Sequence, residues 1–443
     1  MTSLTHNQLR QKFIEFFAAR DHLILPSGPL VPKGDDSTLF TTAGVQPLIP
    51  YLKMEREAPA SRLVDAQKCL RTNDIDEVGD DSHLTMFEML GSWSIGDYGK
   101  SEAIRFAYDF LTTEEGIALP EERLWFTVFA GSTELPADNQ AAEIWQEIGV
   151  PKTRIAFLPE SDNWWATGPE GLCGPDTEIF YDLKWPAPVP AGQNPGNDPD
   201  GRFIEIWNTV FMSYDRRPEG LQPLATQNID EGAGLERLLA VVNGKNIYDT
   251  SCFSESLTVL NAAAKVQGQG TEKSLRIVAD HLRTCLFILS EEPKIYPSAS
   301  DHGYVLRRLI RSATKHGQRL GIDHESYKTC LRINAGLYKE QYPETGVDVE
   351  AKISIFMAEQ AKFEKILDRA PKVWAQFTRA AQGDEPVSAD IVFRMVTEQG
   401  IPFDIVQDIA AENDKIIDVQ GYQGLMGEHK SISRASPPAN KKS

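Results

Sequence analysis

Runs rich in aromatic and β-branched residues stop at about residue 240, and helical periodicity takes over from about 245. This change of period limits the possible folds more than any other feature of the chain. The stretches "RLWFTVFAG", "EIFYDLKW" and "RFIEIWNTVFMSYD" predict strands. Between the last two lies "PAPVPAGQNPGNDPDG", whose Pro, Gly and Asn content predicts a surface loop. Further on, "EKSLRIVADHLRTCLFILSEE", "HGYVLRRLIRSATKHGQRLG" and "AKISIFMAEQAKFEKILDRAPKVWAQF" predict long helices, with Phe356 and Phe363 as core residues of the third. The expected architecture is α+β: a domain over 1–242, a mostly helical domain over 243–435, and a flexible tail over 436–443.

A chain of 443 residues is long for one core, and two or three domains are expected. It carries 45 Lys+Arg against 64 Asp+Glu, a formal charge of −19. That balance argues against general affinity for nucleic acid or membranes, but it permits a local basic patch. Such a patch exists in 302–321, where Arg307, Arg308, Arg311, Lys315 and Arg319 occur with no Asp or Glu after Asp301. Arg307, Arg311, Lys315 and Arg319 are spaced by four and fall on one helix face. Five widely separated Cys without a C-x-x-C pair predict a reduced, cytoplasmic protein with no disulfide framework or zinc finger. The N-terminal stretch, with Leu4, Phe13, Phe16 and Phe17, predicts an amphipathic helix; no run reaches the roughly 18 apolar residues of a membrane span.

Three stretches carry chemistry. In "NIDEGAGLERLLAVVNG", Gly232 and Gly234 precede an apolar helix with Arg237 one turn in. Glycines let a ligand approach the backbone, and the arginine can fork onto a phosphate; the same pattern also suits a glycine turn that caps a helix. In "KCLRTNDIDEVGDDSHLTMFEML", Arg71 precedes an acidic turn and Phe87 lies on the returning strand. A hairpin of this kind sets a cation beside an aromatic face, for phosphate and base, or simply buries a core Phe. In "DNWWATGPEGLCGPDTEIFYD", Trp164 and Trp165 stand before a Gly-Pro loop. Cys173 there has no His or Cys at ligand spacing and reads as a buried thiol. His83 and His281 are expected to serve structural hydrogen bonds.

These stretches, with "FTTAGVQPLIPYL", "FEMLGSWSIGDYG", "EIWNTVFMSYDR", "ADHLRTC" and "GYVLRRLIR", run collinearly from about residue 5 to 435. Together they resemble the N-terminal part of the alanyl-tRNA synthetases, a family of class II aminoacyl-tRNA synthetases. The resemblance implies the class II antiparallel sheet flanked by helices. It implies an alanine–tRNA ligase that joins L-alanine to ATP as alanyl-adenylate and passes it to the 3′ end of tRNA. In that scheme Arg71 binds the α-phosphate, Phe87 stacks on adenine, and Arg237 takes the γ-phosphate above Gly232 and Gly234. Asp230 holds the α-ammonium, while Trp165, Asn208 and Val210 wall the alanine pocket. Mg²⁺ bridging the ATP phosphates is implied; zinc is not expected. The basic helix would grip the tRNA acceptor stem. No membrane partner and a monomer are expected.

The sequence departs from the family in three places. It ends where relatives continue into an editing domain, so no editing in cis is expected, although a pocket fitted to a methyl rejects glycine by only about 1–3 kcal/mol. The loop "RTNDIDEVG" lacks the Gly-Gly-Lys-His segment of many relatives. Ala299 and Thr397 stand where relatives carry the Asn and Asp that read a G·U pair. An alanine cannot make an amide's hydrogen bonds, so phosphate grip without base readout is expected. Two alternatives stay open on the sequence: an enzyme delivering activated alanine to another acceptor, and an inactive tRNA-binding paralogue.

Overall fold

In the computed structural model, residues 3–34, 37–379 and 386–435 are described. The expected tail lies outside them. Among the described residues nine strands form one sheet: β1 Leu23–Ile24, β2 Arg62–Leu70, β3 Met86–Ile95, β4 Leu124–Phe129, β5 Ile155–Leu158, β6 Trp164–Ala166, β7 Gly171–Asp182, β8 Phe203–Arg217 and β9 Gly220–Gly234. The order is β1-β2-β3-β9-β8-β7-β4-β5, with β6 paired to β7. The centre is antiparallel, while β1–β2 and β4–β5 are parallel at the two edges. Alternate residues of β3 fall on opposite faces. Phe87 and Met89 face a cavity, while Glu88, Leu90 and Ser92 are buried on the other side.

The chain divides into two compact units, Met1–Ile353 and Ser354–Ser443. The sheet unit therefore runs past the 242/243 boundary expected from periodicity. The reason is a buried polar lattice. Arg283, on the helix Thr271–Leu289, donates to Glu236 Oε1 at 2.7 Å, to Tyr338 Oη at 3.1 Å and to the Met86 carbonyl. Asp280 of the same helix accepts from Thr85 N at 3.0 Å. On the far side of the lattice, the N-terminal helix His6–Ala18 supplies Arg10, which grips Glu88 with two 2.6 Å bonds. That helix starts on a capping box: Thr5 accepts from Gln8 N, and Gln8 reaches back to Thr5 N.

The second unit is helical. Its core joins Phe363, Trp374, Val392, Met395, Val406 and Tyr422, and Phe403 stacks on Tyr422 at 4.2 Å between centroids. Phe356 is also fully buried. Among the described residues no helix is long and apolar enough to cross a membrane.

Removing one partner of a buried ion pair strands the other charge and costs about 3–5 kcal/mol. Arg283→Met is therefore expected to lower the unfolding free energy by about that much in a urea titration. Arg283→Met with Glu236→Leu should recover a large part of the loss. Equal stability of Arg283→Met and the parent would show that the lattice does not hold the sheet unit together.

Candidate functional site

One cavity opens on the sheet face that carries Phe87 and Met89, and all the sequence-predicted small-molecule residues line it. Arg71, Phe87 and Arg237 border it with Gly232 and Gly234. Trp165, Asn208, Val210 and Asp230 line it too. These residues come from four strands, a loop and a helix, so only the folded sheet brings them together.

The register explains how. β2 pairs with β3 through Cys69↔Phe87 and Leu70↔Met86, which sets Arg71 at the end of the ladder. Its guanidinium lies 5.0 Å from the Phe87 ring centroid, and its Nε donates to the Thr42 carbonyl at 3.3 Å. Across the floor runs a row Glu178–Asn208–Gly232–Gly91, and beside it Asp176–Val210–Asp230–Trp93. Gly91 has no room for a side chain because the Trp93 ring lies over it. From there Trp93 Nε1 donates to Asp230 Oδ1 at 2.7 Å.

Gly232 and Gly234 are strand residues, not the glycine turn that the sequence also allowed. β9 passes directly into the helix Leu235–Asn243, with Gly234 in extended geometry as its N-cap. A side chain at Gly232 would press on Met89 Sδ at 3.2 Å, so the glycine keeps the floor open. Arg237 sits in the helix's first turn and donates to Glu205 Oε2 at 2.9 Å and to the Glu205 carbonyl at 3.3 Å.

The floor is rich in carboxyls that burial pushes toward the neutral form. Burial raises Asp230 to about 7, against the opposing hydrogen bond from Trp93. Asp176 rises to about 7 by burial, opposed by Asn163 and Asn208. Glu178 rises to about 9, by burial first and then by the negative charges of Glu205 and Asp176. Asn208 Nδ2 lies 3.4 Å from Asp176 Oδ2 and 3.3 Å from Glu178 Oε1. Such a floor favours a ligand that brings its own positive charge.

A family model described as "tRNA synthetases class II (A)" matches residues 8–443. An alanine–tRNA ligase of Treponema pallidum is 42% identical over 97% of this chain and 72% of its own length. That of Treponema denticola is 40% identical over 98% of this chain and 73% of its own. The chain belongs to the class II alanine–tRNA ligases. The Halorhodospira halophila ligase is 38% identical over 98% of this chain and 50% of its own length.

In this ligase the basic helix Asp301–Leu320 is not part of the cavity lining. Its apolar face, Val305, Leu306, Leu309, Ile310 and Ala313, is buried. Arg307, Arg308, Arg311 and Lys315 are half-buried, and Arg319 is exposed near the C-terminal end. Arg308 reaches Asp76 at 2.5 Å, which ties the helix to the loop that follows Arg71. Ala299 is exposed in the segment before that helix. In the second unit, the Thr397 hydroxyl donates to the Phe393 carbonyl at 2.7 Å, satisfying its own helix.

His281 is buried between Asp280 and Ser312, 3.1 Å from each. His83 also lines the cavity, with Nδ1 2.6 Å from Asp80 and Nε2 3.1 Å from Glu77. Cys173 is buried, and burial raises its thiol. Sequence reading missed Glu205, Met89 and Glu236 as lining residues, and Asp176 and Glu178 beneath Asn208. Asp176 and Glu178 were findable, since positions two apart on a strand share a face. The Glu205–Arg237 contact, 32 residues apart, leaves no such signal.

Asp230 must be ionised to hold an ammonium. Alanine affinity is therefore expected to fall as pH drops below about 7, approaching tenfold per unit, and to level above it. Asp230→Asn should bind alanine weakly at every pH. Isothermal titration between pH 5.5 and 8.5 checks this; a parent profile as flat as the variant's would remove Asp230 from the role.

Proposed function

We propose that the cavity binds ATP and L-alanine side by side, makes alanyl-adenylate, and transfers alanine to the 3′ end of tRNA(Ala). The observation that carries this reading is the convergence of Arg71, Phe87, Arg237 and the buried Asp230 on one cavity. Phe87 offers the ring for adenine. Arg71, beside it, reaches the α-phosphate, and Arg237 exchanges Glu205 for the γ-phosphate. Asp230 takes the α-ammonium, while Trp165, Asn208 and Val210 limit the side chain to a methyl.

An alanine carboxylate oxygen attacks the α-phosphorus, the bond to the bridging oxygen breaks, and pyrophosphate leaves. No side chain acts as nucleophile. The protein holds two substrates in line and meets the developing negative charge with arginines. A hydroxyl at the tRNA 3′ end then attacks the activated carbonyl; the ester forms and AMP departs.

Among the described residues no group of three or more His, Cys, Asp or Glu is placed to hold a metal ion. Magnesium carried on ATP needs only one or two protein carboxylates, and Glu205, in the cavity beside Arg237, suits that demand. When bound, Mg²⁺ neutralises charge on the phosphates.

The tRNA acceptor stem is read here as lying along Arg307, Arg308, Arg311, Lys315 and Arg319. With Ala299 and Thr397 at the reader positions, phosphate contacts set register while base identity weighs less. The test is alanylation of tRNA(Ala) with its G·U pair intact and changed to G·C. Both should be charged, with kcat/KM within about tenfold of each other, since a tenfold step is only about 1.4 kcal/mol. Charging lost on the change would show direct readout by other residues. No charging of either would contradict tRNA as acceptor.

A further inference from the structure

The basic helix Asp301–Leu320 begins in a patch that the cavity does not explain. Tyr304, in its first turn, is 47% exposed, and Tyr296, in the preceding segment, is 57% exposed. The two segments are packed together. Ser298 N donates to the Gly303 carbonyl at 2.9 Å, and a side chain at Gly303 would collide with the Tyr296 carbonyl and the Ser298 hydroxyl. On another side, His302 Nε2 meets the Leu39 carbonyl at 2.6 Å, and its ring lies edge-on to Phe40 at 5.1 Å. The backbone beneath the exposed rings is thus fixed.

Charge distinguishes among possible partners. The Arg307 guanidinium is 5.8 Å from the Tyr304 ring centroid, on a helix with five cations in a chain of net charge −19. An apolar protein surface would suit the rings but not the cations. A base-paired duplex would suit the cations but not the rings, because its bases stack on each other. Unpaired nucleotides suit both: a base stacks on an aromatic face while the guanidinium meets its phosphate. The ion pair from Arg308 to Asp76 places this helix beside the loop that follows Arg71, so a strand leaving the patch need not travel far to the cavity.

We propose that Tyr304, with Tyr296 in the adjoining segment, is a stacking site for an unpaired base of the tRNA acceptor end. The proposal rests on the reading that tRNA follows the basic helix. Stacking tolerates any base, because each has a π-face. The site therefore adds affinity for the single-stranded end without restoring the edge readout that Ala299 lacks.

The probe is an RNA hairpin of acceptor-stem sequence with a four-nucleotide 3′ overhang, compared with the same hairpin made blunt. Binding to the full chain is followed by fluorescence anisotropy. Tyr304→Ala should weaken binding of the overhang RNA about 5- to 100-fold and leave the blunt hairpin unchanged. Tyr304→Phe, which keeps the ring, should bind as the parent does. Alanine titration of each variant confirms that the cavity is intact. Unchanged binding of the overhang RNA, or equal losses on both RNAs, would overturn the stacking site. Arg311→Glu separates the two levels. If it weakens both RNAs while Tyr304→Ala weakens neither, only the stacking site fails; if it weakens neither, the helix is not the RNA path and both readings fall.

Discussion

Two buried carboxylates, Glu88 on β3 and Glu236 at the start of the helix Leu235–Asn243, fix the rest of the site. Glu236 Oε2 accepts the Glu88 backbone N–H at 3.1 Å, which ties strand to helix directly. Arg10 holds Glu88 from one side, Tyr342 donates to it at 2.8 Å, and Arg283 holds Glu236 from the other. Burial alone would raise Glu88; Arg10 and Tyr342 outweigh it and hold the carboxyl below its usual range. Glu236 remains above its usual range, because burial outweighs Arg283 there. Each carboxylate is the chain neighbour of a cavity residue, Phe87 and Arg237. Fixing the pair thus fixes the ring and the cation that border the cavity.

The buried carboxyls fall into two groups. Glu88, behind the cavity, and Glu236, at its border, are matched by resident arginines. On the cavity side, Asp176, Glu178 and Asp230 have amides or an indole as neighbours, not cations. Burial there raises all three above the ordinary carboxylate range. Under the proposed function, the compensating charge arrives as the ammonium of the amino acid. Arg237 is the reverse case: a cation paired with Glu205, which under the proposed function it exchanges for a phosphate.

Local chemistry was legible in the sequence and long-range pairing was not. β7 and β8 announce themselves through aromatic and β-branched residues, and the Pro- and Gly-dense stretch between them is a loop. Arg71, Phe87, Asp230 and Arg237 could be named as cavity residues because their motifs match a family. Gly232 and Gly234 look like a turn locally, and only the pairing of β9 with β3 and β8 shows them as strand. The boundary near 242 follows the change in periodicity, yet Arg283 and Asp280 attach the next long helix to the sheet, and no local pattern encodes such contacts. Glu205 was missed for the same reason.

The proposed function requires that one cavity activate alanine with ATP before any tRNA is engaged. The decisive measurement is exchange of labelled pyrophosphate into ATP without tRNA. Exchange should depend on L-alanine and collapse in Arg71→Ala, a variant of an exposed residue that leaves the buried lattice untouched. Absence of exchange, or exchange that persists without alanine, would contradict it.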